Sequence, residues 1–180
     1  MSCTCASLTL AGLCRDCDAN VGGIQVVYIT TSNSVSGISY DSGNTKITGI
    51  TLSSGASFYE YQFRKNTGSM TSTLNVTDDG NTYVSTELSL VFGKMQTRSR
   101  IEMNALSLSD LFVIVKDANG KYWALGTEDP VTASGGAGET GTNRTDPNRY
   151  TITLSEVAAS FPFEVDASVI EGLEIVEGTN

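Results

Sequence analysis

Four cysteines crowd the first 17 residues, as Cys3-x-Cys5 and Cys14-x-x-Cys17 with eight residues between the pairs. Four thiolates can enclose a zinc ion tetrahedrally, and a C-x-x-C pair is a reasonable half-site. The C-x-C half is tighter than the usual zinc knuckle, and no hydrophobic mini-core surrounds the set. Free thiols on an N-terminal arm (residues 1–20) are the reading this spacing favours, with structural zinc or pairing on oxidation as the alternatives. A catalytic thiol needs a base to activate it, and the chain contains no histidine.

Other constellations also invite chemistry. Glu60 and Glu87 could face one another as a carboxylate pair of the glycoside-hydrolase kind. Both fall at outward positions of alternating segments, which points to a solvated sheet face. Gly135, Gly136, Gly138 and Gly141 resemble a phosphate loop, but the lysine such a loop needs is absent and a strand comes next instead of a helix. Asp78-Asp79-Gly80-Asn81 and Asp117-Ala118-Asn119-Gly120 resemble fragments of calcium loops; neither continues to the twelfth-position glutamate, so both read as hairpin turns. Trp123 and the seven tyrosines could make a sugar-stacking platform, yet Tyr59, Tyr61 and Trp123 fall where core or interface residues belong. With no constellation left standing, the expectation is a protein that is not an enzyme and takes no cofactor beyond the zinc alternative.

Charge narrows the partners. Lys and Arg number 11 against 20 Asp and Glu, a formal net charge of −9. The cations are scattered, so sequence-reading of nucleic acid is not expected. An acidic surface would instead let DNA pass without sticking. No stretch approaches a membrane helix. The N-terminus has no positive region, and Leu13 precedes Cys14 where a lipoprotein signal needs a small residue, so no signal peptide is expected and the product is read as made in the cytoplasm.

The elements that must carry these residues are mostly strands. Ile24 to Ile29 is a β-branched run. Thr30 to Ser36 reads as polar linker, and Gly37–Asp41 with Lys46–Leu52 as a weak hairpin. Phe58 to Arg64 alternates with period two, putting Tyr59, Tyr61 and Phe63 on one face. Residues 69–92 form a strong hairpin about the Asp78–Asn81 turn. Gln96 to Ser109 switches to helical spacing, with Ile101, Ala105 and Leu108 at helical intervals and Met103 and Leu106 nearby. Leu111 to Val115 is apolar throughout and should be covered on both sides, and Lys121 to Gly126 returns from it. Thr132 to Asn148, inside a loop or arm over 127–148, has no apolar periodicity and reads as a long structureless arm. Tyr150 to Leu154 alternates, Glu156 to Ser160 reads as a turn, and Phe163–Val165 as a short strand. The tail 171–180 is acidic and either frays or docks. The sum is a mainly β domain over 21–170: a sandwich or barrel of antiparallel strands with one flanking helix.

The stretch from Phe58 to Val165 resembles the tail-tube-like structural proteins of tailed bacteriophages. The resemblance rests on Phe58-Tyr59-Glu60-Tyr61-Gln62-Phe63-Arg64-Lys65-Asn66-Thr67-Gly68-Ser69, on the helix with Arg100-Ile101-Glu102-Met103-Asn104-Ala105-Leu106, and on Asn119-Gly120-Lys121-Tyr122-Trp123-Ala124-Leu125-Gly126. The Gly-rich segment closing on Asn148-Arg149-Tyr150-Thr151-Ile152-Thr153-Leu154 adds to it. It covers about two-thirds of the chain and leaves out the cysteine-bearing N-terminus. What it implies is a subunit that joins copies of itself edge to edge in rings, commonly six-membered. The rings stack into a virion tail tube that DNA and a tape-measure protein traverse, with a tail-terminator or connector protein at its end. A capsid decoration or head–tail connector protein, or a zinc-stabilised binding module, are the other readings the composition allows.

Overall fold

The computed structural model describes residue 13 and residues 19–178. Two sheets organise the chain. Sheet A comprises β1 (Ile24–Thr31), β2 (Val35–Tyr40), β3 (Lys46–Leu52), β4 (Phe58–Gln62), β7 (Leu111–Asp117), β8 (Tyr122–Leu125), β11 (Phe163–Val165) and β12 (Ile175–Val176), in the order β12-β4-β1-β7-β8-β11-β3-β2. Sheet B comprises β5 (Ser69–Val76), β6 (Thr82–Gly93), β9 (Thr132–Glu139) and β10 (Arg149–Ala158), in the order β5-β6-β10-β9. Two helices complete the fold, α1 (Thr97–Leu108) and the short α2 (Ala167–Glu171). The architecture is mainly β, with curled sheets and one main helix.

β7 explains why the fold has two cores. All five residues from Leu111 to Val115 are buried, as an unbroken apolar run requires. Leu111, Val113 and Val115 point to the core between the sheets, with Val27 and Ile29 of β1 beside them and Leu88, Leu90, Ile152 and Leu154 across from sheet B. Phe112 and Ile114 point the other way, into a second core that sheet A makes by curling on itself, where they meet Phe58, Ile47, Val165 and the α2 residues Val169 and Ile170. Phe58 and Phe112 meet edge to face at 6.1 Å. Each of these buried side chains contributes about 1.5–3 kcal/mol relative to exposure, so a single strand anchors both halves. The chain's end closes the second core: Ile175–Val176 pair in parallel with Phe58–Tyr59, so the acidic tail docks.

The structure departs from expectation in four places. Thr132–Glu139 is the edge strand β9, paired with β10 from Arg149↔Glu139 to Ser155↔Thr132, and of the expected arm residues 127–130 and 140–148 are loop. A strand held by its backbone needs no apolar side chains, which is why composition hid it. Its glycines admit neighbours: a Cβ on Gly138 would sit 2.7 Å from the Tyr150 ring, and one on Gly136 would lie 3.4 Å from Met103 of α1. Second, Glu156–Ser160 is not a turn at its start, because β10 runs through Ala158. Third, the polar linker after Ile29 is shorter than expected: β1 runs to Thr31, a 3-10 turn covers Ser32–Ser34, and β2 starts at Val35. Fourth, α1 packs through Met103 and Leu106, while Ile101 (54% exposed) and Leu108 (88% exposed) face outward. The partner of Glu102 decides that rotation, since the Tyr61 hydroxyl donates to its Oε2 at 2.7 Å and pins this side of the helix to β4.

Candidate functional site

The four cysteines Cys3, Cys5, Cys14 and Cys17 lie outside the described residues. Among the described residues, no group of three or more His, Cys, Asp and Glu could hold a metal ion. Glu60 and Glu87 stand on different sheets, on β4 opposite Tyr28 and on β6 between Thr71 and Ser155, so the structure does not assemble them as a pair. The two calcium-like segments are turns. Asp117 Oδ1 accepts from the backbone N–H of Asn119 at 2.9 Å and of Lys121 at 2.8 Å, and its Oδ2 accepts from Trp123 Nε1 at 3.0 Å. That carboxylate is committed to the hairpin. The Asp78–Asn81 turn is closed by Gly80 N–H to Thr77 O at 2.9 Å.

Sequence reasoning missed one buried acid. Glu156 points inward from β10, opposite Thr86, and is 6% exposed. Burial pushes its carboxyl up to about 7; the Gly126 N–H it accepts works the other way, and Glu128 and Asp129 add to the rise. Its tie to Gly126 holds the loop that carries Glu128 and Asp129 against sheet B, and Glu128 in turn accepts from Ala159 N–H at 2.8 Å. The signal in the sequence was the alternation Ile152, Leu154, Glu156, Ala158, which places the glutamate on the apolar side.

The surfaces with most chemical potential are edges and ends of sheet B. β5 and β9 are its two borders, each eight residues long. Edge strands are normally protected by Lys, Pro or other charges. β5 (Ser-Met-Thr-Ser-Thr-Leu-Asn-Val) has none, and β9 has only Glu139 at its last position. The outer face between these borders is hydroxyl-rich: Thr71 and Thr73 of β5, Ser85 and Ser89 of β6, Thr151 and Thr153 of β10. Its charges are Glu87 and the Arg149–Glu139 ion pair.

No protein-family model, no curated protein and no solved structure matches the chain.

At one end of sheet B, the end of β6, the start of α1 and the residues entering β10 enclose a cleft of about 630 Å³. Arg64, Lys94 and Arg149 line it, together with Val91 and Phe92, and no carboxylate is in its wall. Lys94 is held in the left-handed region (φ 84°), its N–H on Asn148 O at 2.8 Å, while Asn148 Oδ1 takes the Met95 N–H at 2.7 Å. At the other end, the β5–β6 hairpin runs past the core. Leu74 and Val76 face inward by register yet are 52% and 66% exposed, and Asp78 and Asp79 stand exposed at the tip.

Proposed function

We propose that this chain is a self-assembling structural subunit whose four-stranded sheet joins those of its neighbours into a closed ring, and that stacked rings form the tail tube of a tailed bacteriophage. The observation that carries this reading is the pair of unprotected borders, β5 and β9, on opposite sides of one sheet. Successive strands of sheet B are antiparallel throughout, so β9 runs opposite to β5. A head-to-tail neighbour related by rotation would therefore set its β5 beside β9 in antiparallel register, and the sheet would continue around the ring without an edge.

The uncovered face of that sheet would line the channel. Its hydroxyls and few charges suit passage of DNA without capture: sheet B has no Lys or Arg except Arg149, which is paired with Glu139. In this reading the partners are further copies of the chain, a tape-measure protein inside and terminator or connector proteins at the ends, and the location is the virion tail. Asp117 is committed to a turn, Arg149 to Glu139 and Glu156 to Gly126, which supports a role that does not use these groups for catalysis.

The test is assembly. Negative-stain microscopy and sedimentation of the concentrated protein should give rings or tubes. Thr73→Lys with Gly135→Lys places like charges on the two borders, and the second position has open space for a side chain. That variant should remain monomeric with an unchanged circular dichroism spectrum. Wild-type protein that stays monomeric at every concentration rules the reading out.

A further inference from the structure

Charge is unevenly distributed along the strand direction of sheet B. Six of the 11 Lys and Arg (Arg64, Lys65, Lys94, Arg98, Arg100 and Arg149) lie on the segments that wall the cleft or adjoin them in the chain. From residue 66 to 93, from 122 to 143 and from 150 to 180 there is no Lys or Arg at all. The opposite end carries Asp78 and Asp79 on the hairpin tip, with Glu128 and Asp129 on the loop that Glu156 holds. The 12-residue β6 spans the distance between the two, roughly 36 Å at about 3.3 Å per residue.

We propose that the Thr77–Asn81 turn of one subunit seats in the Arg64–Lys94–Arg149 cleft of a subunit in the next ring. This inference rests on the ring reading above and identifies the contact that turns rings into a tube. In a ring closed through β5 and β9, the two ends of each strand emerge on opposite faces, so the acidic tip of one ring meets the cationic cleft of the next. Asp78 and Asp79 are the carboxylates for Arg64 and Lys94, the two cations of the wall that are not engaged with Glu139. Leu74 and Val76, uncovered in the single subunit, are the apolar flank, and Val91 of the cleft wall is their counterpart. The turn's own hydrogen bonds, Thr77 N–H to Asn81 O at 2.8 Å and Asn81 N–H to Thr77 Oγ1 at 3.1 Å, hold the tip in shape before it docks.

Charge reversal tests it. Asp78→Lys with Asp79→Lys makes both ends cationic, and Arg64→Glu with Lys94→Glu makes both ends acidic. Each double variant alone should give isolated rings, with the tube fraction down by about tenfold or more at equal protein concentration. Mixed one to one, they should stack again in alternation, because each tip then meets a cleft of opposite sign. Wild-type tubes should also fall apart into rings at about 1 M salt, where screening acts within ~3 Å. Rings of either variant that stack as well as wild type, or a mixture that fails to stack, overturn the tip-in-cleft contact and leave the ring reading standing. A wild-type chain that never forms rings overturns both.

Discussion

The Tyr61 hydroxyl donates to Glu102 Oε2 at 2.7 Å, joining β4 of one sheet to the helix that closes the side of the sandwich. Burial and that carboxylate hold the Tyr61 phenol well above its ordinary range, so it stays a donor throughout the accessible pH range. The ring also meets Phe92 edge to face at 5.9 Å, so the same side chain contributes to the core. Tyr61→Phe keeps the packing and loses the bond; a cost of about 1–2 kcal/mol in urea unfolding is expected. Tyr61→Phe and Glu102→Gln combined should cost less than the sum of the two alone. Strict additivity would mean the pair contributes nothing.

Glu156 makes stability depend on pH in an unusual direction. Its folded carboxyl titrates near 7 against an ordinary value of 4.5. Between those values the unfolded chain releases a proton that the folded chain keeps, so stability falls as pH rises through this window and levels off above it. Glu156→Gln keeps an oxygen to accept the Gly126 N–H and has no proton to lose. It should gain on the order of 2 kcal/mol over wild type at pH 8 and little at pH 4. Thermal unfolding at the two pH values reads this directly; a variant less stable at pH 8 would contradict it.

Gly126 is fixed by its surroundings. Its φ is 89°, and a Cβ there would lie 2.9 Å from Leu111 O and 3.3 Å from Phe112 Cα, backbone that cannot yield. Gly126→Ala should cost about 2 kcal/mol or more and should loosen the loop that Glu156 secures. Gly135→Ala on β9, where the added carbon meets nothing within 4 Å, is the matched control and should be close to neutral.

Among the described residues, the two cores draw their members from Ile24 to Ile175, and no buried side-chain nitrogen or oxygen lacks a partner. A zinc chelator or a reductant should therefore leave the melting temperature within about 1 °C, since a structural metal or disulfide for the domain would contribute several kcal/mol. A large drop would show that the first residues brace the sandwich.

What could be read from the sequence was whatever the side chains encode by period or by run. Leu111 to Val115 announced a strand covered twice, and the alternation of Val84, Leu88 and Leu90 against Ile152 and Leu154 announced the centre of sheet B. β9 was invisible because the backbone of β10 recruits it and its glycines serve Tyr150 and Met103, residues distant in sequence. The helix itself was legible but its orientation was not: Ile101, Ala105 and Leu108 had the better apolar spacing, and the bond from Tyr61 together with burial of Leu106 turned the other face inward. The cationic cleft could not be foreseen, because Arg64, Lys94 and Arg149 are brought together only by the end-to-end register Gly93↔Arg149 and the turn after β4.

Sheet B has four strands, an even number, and its first and last run in opposite senses. A repeat of this kind meets the next one with alternation intact however many repeats are used, so hydrogen bonding alone favours no particular head count. The number of members is then left to how sharply each unit bends relative to its neighbour. In the proposed ring, two copies fused in tandem through a flexible tether would circle the same bore with half as many polypeptides wherever the number of copies is even.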